Sequence, residues 1–149
     1  MAVKPVMNID ALEAFLAQEF PQINEGGPFY AVTEVEPGAA VLRLMPDRRH
    51  LRPGGTVSGP TLFALADLGA YVVILAHIGP VALAVTTNLT INFLRKPADG
   101  VPLYSRCRLL KLGKRLAVVD VIITDEAGTI VAQASATYSI PPQAETTVK

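Results

Sequence analysis

One long apolar segment constrains the fold of this chain more than any other feature. Residues 62–78 are predominantly apolar, and the run ends at Gly79 and Pro80, which terminate helices. The run approaches the length of a membrane span, but Asp67 in its middle would cost about 2.5 kcal/mol or more at a bilayer centre. The sequence therefore predicts a central helix over about residues 59–78, buried in a protein core.

The composition limits the kind of protein that can contain such a helix. Of the 149 residues, 50% are hydrophobic and 17% are charged, which is enough for a single domain, 1–149, with a sizeable core. The formal net charge is zero, so we expect neither nucleic acid nor an anionic membrane as a partner. So much apolar residue on a small, weakly charged chain also predicts a subunit interface, and hence a homo-oligomer, either a dimer or a dimer of dimers.

The cysteine and histidine residues indicate neither a disulfide nor a metal site. Cys107 is the single cysteine and has no base nearby, so we interpret it as structural. Neither His50, in a loop, nor His77, near a helix C-terminus where its charge would be favourable, has a second ligand at suitable spacing. Residues 1–15 lack the continuous apolar core of a secretory signal. We therefore expect a cytoplasmic protein without a metal or a cofactor.

Strand and turn patterns surround the central helix. A capping residue before an amphipathic stretch predicts a short helix over about residues 8–20. Strands over 29–35 and 40–45, joined by a Pro-Gly turn, form a predicted hairpin, and 46–57 is predicted as a loop. Four further strands follow the central helix, and their short turns predict a four-stranded antiparallel meander.

This order of elements predicts an α+β architecture, an antiparallel sheet of five or six strands wrapped around one long apolar helix. The last predicted strand supports the arrangement because Ala132, Ala134 and Ala136 share one face, and small residues allow a helix to pack closely. The tail, 141–149, is expected to fray.

The start of the central helix carries a spaced pattern. It consists, in chain order, of Arg52, Gly55, Ser58, Gly59 and Pro60, followed by Leu65-Ala66-Asp67. The spacing resembles that of the hotdog-fold acyl-CoA thioesterases of the phenylacetate-pathway type, whose pattern is N-x-x-G-x-x-H-G-G followed by L-A-D. The resemblance spans residues 48–141 and includes the strands "TTNLTINFLRKP" and "VAQASATYSI". It implies a hotdog fold and hydrolysis of acyl-CoA thioesters in active sites built at a dimer interface.

Three positions depart from the family pattern. Arg52 stands where the family has Asn, Ser58 where it has His, and Pro60 where it has the second Gly. The resemblance implies that the Asn and His orient the thioester or water. Their loss favours an alternative function, a hotdog protein that binds CoA or an acyl chain without hydrolysing it. A hydratase ranks last because we expect no histidine beside the acid, either on the helix near Asp67 or in its entry loop.

The first residues of the helix suit an oxyanion. The first backbone N–H groups of a helix have no partner within it and lie at the positive end of its dipole. Gly59 is the predicted catalytic donor because, lacking a Cβ, it lets a bulky thioester approach its N–H. Pro60 sets the first turn. Ser58 either helps to bind substrate or only caps the helix by accepting from the N–H of Thr61.

Asp67 carries the candidate catalytic carboxylate. It lies eight positions after Gly59, about 12 Å along a helix, so one chain cannot direct both groups at one carbonyl. If the two cooperate, a second subunit packed antiparallel supplies one of them, which gives two equivalent sites across a two-fold axis. The carboxylate could act as general base or as nucleophile. The alternative is a structural acid.

Other candidates contact substrate or water. The resemblance aligns Thr86 or Thr87 with a hydroxyl that holds water beside the acid, although either threonine also suits a strand. Tyr71, one turn beyond Asp67, either lines an acyl tunnel or belongs to the core. Arg52 either replaces the family's Asn, binds an acidic acyl group or a CoA phosphate, or is solvated.

A basic hairpin turn completes the predicted site. Gly113, Lys114 and Arg115 occupy the turn where the family holds the phosphates of CoA, and two cations suit that task. A plain turn with solvated charges is the alternative. The expected ligand is therefore a small-molecule acyl-CoA, with CoA entering as part of the substrate.

Overall fold

The computed structural model describes residues 3–143. Helix α1 spans Ile9–Glu19 and the central helix α2 spans Gly59–Ile78. The strands are β1 Tyr30–Glu36, β2 Ala39–Leu44, β3 Leu51–Arg52, β4 Thr56–Val57, β5 Val85–Phe93, β6 Leu103–Leu112, β7 Leu116–Thr124 and β8 Ile130–Ser139. Short 3-10 helices lie at Pro21–Asn24 and Arg48–His50. The predicted tail falls mostly on 144–149, outside the described residues, and residues 141–143 have no regular structure.

Six strands form one antiparallel sheet in the order β1-β2-β6-β7-β8-β5, and α2 packs on its concave side. The predicted α+β arrangement of a six-stranded sheet around one apolar helix is confirmed. The predicted four-stranded meander is wrong, because only β6, β7 and β8 follow one another in the sheet. Residues 94–102 form a long connection after β5, so β5 crosses to the far edge and pairs with β8.

The predicted loop at 46–57 has regular structure. After the 3-10 turn at Arg48–His50, strands β3 and β4 form a separate two-stranded hairpin. The turn between them contains Gly54 and Gly55, both with positive φ, a conformation that glycine adopts without strain. Two residues per strand are too few for an alternating pattern, so this hairpin could not be recognised in the sequence.

Helix α2 lies in the core. It is long and apolar enough to cross a membrane by length and composition, but 72% of its most apolar window is buried inside the protein, as expected for a core helix. The sheet accommodates it because Ala132, Ala134 and Ala136 are fully buried beneath it, as predicted. Gly69 of α2 faces Ser105 and leaves no room there for a Cβ.

The N-terminal segment covers the second half of α2. The N–H groups of Val6 and Met7 both donate to the carbonyl of Ala76. Leu12 and Leu16 of α1 are buried in the core. Because this segment covers one side and the sheet the other, α2 is buried on all faces over residues 69–77 but keeps an open stripe in its first half.

Cys107 and His77 are both buried and have structural roles. Cys107 is buried, and burial raises the pKa of its thiol to about 12, which agrees with a structural role. His77 is also buried. Its Nε2 accepts from the N–H of Gly38 at 2.9 Å and its Nδ1 lies 2.7 Å from the carbonyl of Val73. The ring thus joins α2 to the β1–β2 turn, which differs from the predicted role of a charge at a helix end.

Candidate active site

Asp67 lies on the open stripe of α2, half-buried, and two hydroxyl groups hold one of its oxygens. The hydroxyl of Thr86 donates to Oδ1 at 2.5 Å, and the hydroxyl of Tyr138 donates to the same atom at 2.8 Å. Within the described residues, 3–143, no hydrogen bond is made to Oδ2. The carboxylate is therefore fixed through Oδ1, while Oδ2 is available to a water molecule or a substrate.

Tyr138 was not among the predicted site residues. It is 3% exposed, and burial raises the pKa of its phenol, which the neighbouring carboxylate of Asp67 raises further. The phenol therefore stays protonated and donates. The sequence carried a signal for it, since Tyr138 continues the face formed by Ala132, Ala134 and Ala136 and places a hydroxyl opposite the helix.

A cleft of about 830 Å³ opens beside Asp67. One wall is the stripe of α2, one is the segment before β5, and the third is the chain between α1 and β1. The lining is mainly apolar and aromatic and includes Phe20, Ile23, Phe29, Tyr30, Leu68 and Tyr71. A carboxylate at the wall of an apolar cleft suits a ligand with a reactive group attached to an apolar body.

Tyr71 lines this cleft and also packs in the core. Its hydroxyl donates to the carbonyl of Ala82 at 3.0 Å. Its ring stacks on that of Tyr138 with centroids 6.2 Å apart and meets Phe20 edge to face at 6.4 Å. The two interpretations of Tyr71 are therefore compatible, because one face supports Tyr138 and the ring still borders the cleft.

The start of α2 has the local geometry that its sequence predicts. Oγ of Ser58 accepts from the N–H of Thr61 at 3.3 Å, so Ser58 is the helix cap. Gly59 is the first helical residue, and Pro60 follows in the first turn, exposed. A Cβ on Gly59 would lie 3.4 Å from the ring of Phe93, so that residue packs against the proposed oxyanion donor.

The two threonines at the start of β5 have different partners. Thr86 bonds Asp67, whereas Thr87 is exposed and donates to the carbonyl of Thr137 at 3.2 Å. The register of the β5–β8 pair shifts between Thr86 and Asn88, so Thr87 is an extra residue without a partner position on β8. The structure therefore brings Thr86 to the carboxylate, whereas Thr87 bonds the neighbouring strand.

The predicted cationic residues lie away from the carboxylate. Arg52 is exposed in the β3–β4 hairpin. Gly113, Lys114 and Arg115 form the β6–β7 turn, at the same end of the sheet as Thr86 but two strands away. None of these four residues is among those that line the cleft in the described part of the chain. They are placed to contact only an extended part of a ligand, outside the cleft.

His50 is a second polar residue that sequence reasoning missed. It is buried and lines the same cleft as Asp67, in the segment that leads into α2, so the expectation that the entry loop of the helix holds no histidine is wrong. The segment around His50 is held beside the start of α2, because the carbonyl of His50 accepts from the N–H of Ser58 at 2.9 Å. Arg49 lies at the rim of the cleft, with its guanidinium 4.4 Å above the ring of Phe29.

Among residues 3–143, no cluster of three or more His, Cys, Asp or Glu side chains could hold a metal ion. The site instead combines an oriented carboxylate, hydroxyl donors and an apolar cleft. That combination suits proton transfer to or from water, or attack on a carbonyl carbon.

Comparison with known proteins identifies the family. The sequence profile described as Thioesterase superfamily matches residues 54–132, more than half of the chain. The chain belongs to the thioesterase superfamily. A Saccharolobus solfataricus protein, provisionally named an esterase, is 32% identical over 108 residues, which cover 72% of this chain and 70% of that protein.

Solved structures of the superfamily share the fold. A protein of Silicibacter sp. TM1040, provisionally named a thioesterase, is 47% identical with a TM-score of 0.85, covering 95% of this chain and 97% of that chain. A mutant of the phenylacetic acid degradation protein of Thermus thermophilus is 27% identical with a TM-score of 0.67, covering 76% and 94%. The resemblance to hotdog-fold thioesterases predicted from the sequence is confirmed.

Proposed function

We propose that this thioesterase superfamily member hydrolyses an acyl-CoA thioester to a free acid and CoA through the carboxylate of Asp67. The observation that carries the proposal is the fixing of Asp67 by Thr86 and Tyr138 beside an apolar cleft, on a helix that is otherwise apolar. Because both hydroxyl groups bind Oδ1 of Asp67, Oδ2 is left to face a ligand. A purely structural acid would need no cleft beside it.

The arrangement serves thioester hydrolysis by either of two routes. As a general base, Oδ2 of Asp67 takes a proton from water, the water oxygen bonds to the thioester carbon, the C–S bond breaks, and the thiolate of CoA receives the proton. As a nucleophile, Oδ2 bonds to the same carbon and expels CoA, and water then hydrolyses the mixed anhydride. Both routes develop negative charge on the carbonyl oxygen, which requires an N–H donor.

The N–H of Gly59 from a second subunit is the proposed donor. In its own chain, Gly59 lies about 12 Å from Asp67 along the helix axis, because Asp67 is eight positions further along the helix. Two copies of α2 packed antiparallel along their open stripes would place each Gly59 beside the other chain's Asp67. The homodimer then contains two equivalent sites.

The edge of the sheet supports such a partner. Among the strands of residues 3–143, β5 lies at the edge of the sheet and pairs with β8 alone, and its sequence VTTNLTINF carries no charge or proline. Uncharged edge strands promote uncontrolled pairing unless another chain covers them. Large apolar side chains are exposed on and around this edge. The exposed fraction is 40% at Phe63, 76% at Leu83, 54% at Val85, 52% at Phe93 and 56% at Leu94. A second copy of the chain would cover them.

The rest of the proposal follows from this chemistry. CoA enters as part of the substrate, the reaction needs no metal or other cofactor, and the protein acts in the cytoplasm, where acyl-CoA is formed. The cations of Lys114 and Arg115 are available to the phosphates of CoA at the sheet end nearest Thr86.

Hydrolysis is tested with a panel of acyl-CoAs and a thiol reagent that detects released CoA. Asp67→Asn keeps the oxygen that accepts from Thr86 and Tyr138 but cannot take a proton, so we expect kcat/KM to fall by about 10²–10⁴. Asp120→Asn is the matched control, because Asp120 lies on β7 and accepts from Gln133 at 3.4 Å. Equal activity of the wild-type and Asp67→Asn proteins would refute the catalytic role. Tight binding of CoA without turnover would establish the binding protein instead, and hydration of an enoyl-CoA a hydratase.

The shared site is tested by charging the proposed edge. Thr90 is exposed in the middle of β5, so Thr90→Lys in both copies would place like charges at the interface. Sedimentation should then show monomers. The rate of hydrolysis should fall as the dimer is lost, because each Asp67 loses the N–H of the partner subunit. Thr33→Lys, on β1 at the opposite edge of the sheet, is the control. A fully active Thr90→Lys monomer would exclude a site shared between subunits.

A further inference from the structure

His50 takes no part in the chemistry above, yet it presents a hydrogen-bond donor to the cleft. Its Nδ1 accepts from the backbone N–H of Asp47 at 2.9 Å, so the proton of the neutral ring is on Nε2. Oδ1 of Asp47 lies 3.4 Å from Nδ1, but no ion pair forms there because the backbone N–H occupies the lone pair. Within residues 3–143 no hydrogen bond is made by Nε2, and the residue lines the cleft while only 8% exposed.

The imidazole is held in one place. Its backbone carbonyl accepts from the N–H of Ser58 at 2.9 Å and from the hydroxyl of Thr61 at 3.2 Å, which anchors it to the first turn of α2. The rings of Phe29 and Tyr30 meet it edge to face, at centroid distances of 5.1 and 6.4 Å. A donor fixed by its neighbours recognises a ligand at a smaller cost in side-chain entropy.

The ring is uncharged at neutral pH. Burial lowers the pKa of His50, Asp47 opposes this effect in part, and the nearby cation of Arg49 adds to it. A neutral ring brings no charge to offset that of an anion, and an unpaired anion is costly to bury in a mainly apolar lining, so an uncharged oxygen is the favoured acceptor. The lining around it is mainly apolar, so a hydrocarbon chain that excluded water from Nε2 would leave the N–H unpaired, at a cost in binding.

We propose that Nε2–H of His50 binds an uncharged oxygen, such as a keto, hydroxyl or ether oxygen, carried by the acyl group of the substrate. His50 is then a specificity residue that selects oxygenated acyl groups over hydrocarbon chains of the same length. This inference rests on the proposed function, because it concerns the acyl part of a thioester whose reacting carbon lies at Asp67.

The test uses binding, so that it stands whether or not the protein hydrolyses thioesters. The probes are thioether analogues, CoA alkylated on sulfur with matched medium-length chains that differ in a single keto oxygen, placed at successive positions in a series. Calorimetry on the wild-type protein should show the best keto analogue binding roughly three- to tenfold more tightly than the hydrocarbon, the range for one neutral hydrogen bond. Equal affinity throughout the series, or no binding by any analogue, would overturn the proposal.

Two variants assign the preference to His50. His50→Phe keeps an aromatic ring and removes the donor, so the affinity ratio should fall to about one, because the keto analogue loses its hydrogen bond and the hydrocarbon no longer leaves an N–H unpaired. His50→Gln can accept from Asp47 and still donate, so it should keep part of the ratio. An undiminished ratio in His50→Phe would overturn the assignment.

A spectroscopic measurement covers the case in which His50→Phe does not fold. In wild-type protein labelled with nitrogen-15 in histidine, the keto analogue should shift the Nε2 resonance of His50 and the hydrocarbon analogue should not. The Nδ1 resonance should report an unprotonated nitrogen before and after binding. Identical Nε2 shifts with both analogues would contradict the inference.

Discussion

The hydroxyl of Tyr138 lies 2.8 Å from Oδ1 of Asp67, although 71 positions separate the two residues in the chain. The contact joins the last strand to the central helix. Thr86, which bonds the same oxygen, is the direct neighbour of Tyr138 across the β5–β8 pair. The carboxylate is therefore held by two adjacent strands whose register is fixed by the sheet, and this makes the direction of Oδ2 a property of the fold.

Removing the phenolic oxygen should affect catalysis more than folding. In Tyr138→Phe, Asp67 keeps Thr86 but loses one of its two fixed donors, so we expect kcat to fall about tenfold with KM little changed, as expected for a lost hydrogen bond to a charged group. Steady-state hydrolysis measures this. Tyr71→Phe is the matched control, because it removes the hydroxyl of the stacked neighbouring ring, which bonds Ala82 rather than Asp67. Equal losses in the two variants would show that Tyr138 acts only through packing.

The two threonines of β5 provide a paired test. Thr86→Val removes the other donor to Asp67 at nearly constant shape and should also reduce kcat about tenfold, whereas Thr87→Val should have little effect because Thr87 bonds Thr137. The double variant Thr86→Val/Tyr138→Phe should lose activity non-additively, since both hydroxyls hold one oxygen. Strict additivity, or a larger loss in Thr87→Val, would contradict this account of the site.

The linear pattern of the sequence predicted the parts of the site that lie on single elements. Asp67 stands out in the order of residues because it interrupts an apolar helix, and the family resemblance indicated Thr86 or Thr87, of which Thr86 bonds the carboxylate. The role of Gly59, the first residue of that helix, stays a prediction. The face of β8 that carries the alanines also carries Tyr138, but its contact with Asp67 depends on tertiary packing, as does the path that brings His50 to the cleft. The edge position of β5 was missed for the same reason, because strand order depends on the path of residues 94–102.

Gly59 should tolerate a methyl group in folding but not in catalysis. The nearest group to a Cβ there is the ring of Phe93, at an ordinary contact distance of 3.4 Å, and alanine favours a helix more than glycine does, so the stability of Gly59→Ala should be unchanged or higher. The same Cβ would keep a thioester carbonyl from the N–H, and we expect kcat/KM to fall by about 10²–10³. Thermal melting and hydrolysis measured on one preparation separate the two effects. Full activity would rule out Gly59 N–H as the oxyanion donor.

Gly69 should show the opposite behaviour. A Cβ at this position would lie 2.7 Å from the thiol of Cys107 and closer still to Ser105, so Gly69→Ala should destabilise the fold by about 1–3 kcal/mol through overpacking. Denaturant unfolding measures the loss. In a Ser105→Ala background, which removes the nearer oxygen, the same substitution should cost less. An equal cost in both backgrounds would show that the hydroxyl of Ser105 is not the source of the strain.

His50 should make the fold sensitive to acid. Burial lowers its pKa in the folded protein from 6.5, whereas the unfolded chain keeps the ordinary value. Below pH 6.5 the unfolded state therefore binds the extra proton first, and the stability from His50 is complete above that pH and declines as pH falls toward the lowered folded-state pKa. His50→Gln can still accept from the N–H of Asp47 but does not titrate. Denaturant unfolding from about pH 7.5 down to about pH 5 should show a smaller decline for the variant than for the wild-type protein. Because every other titratable group is common to both proteins, the difference between the two curves isolates His50, and parallel curves would show that its ring is not buried in the neutral form.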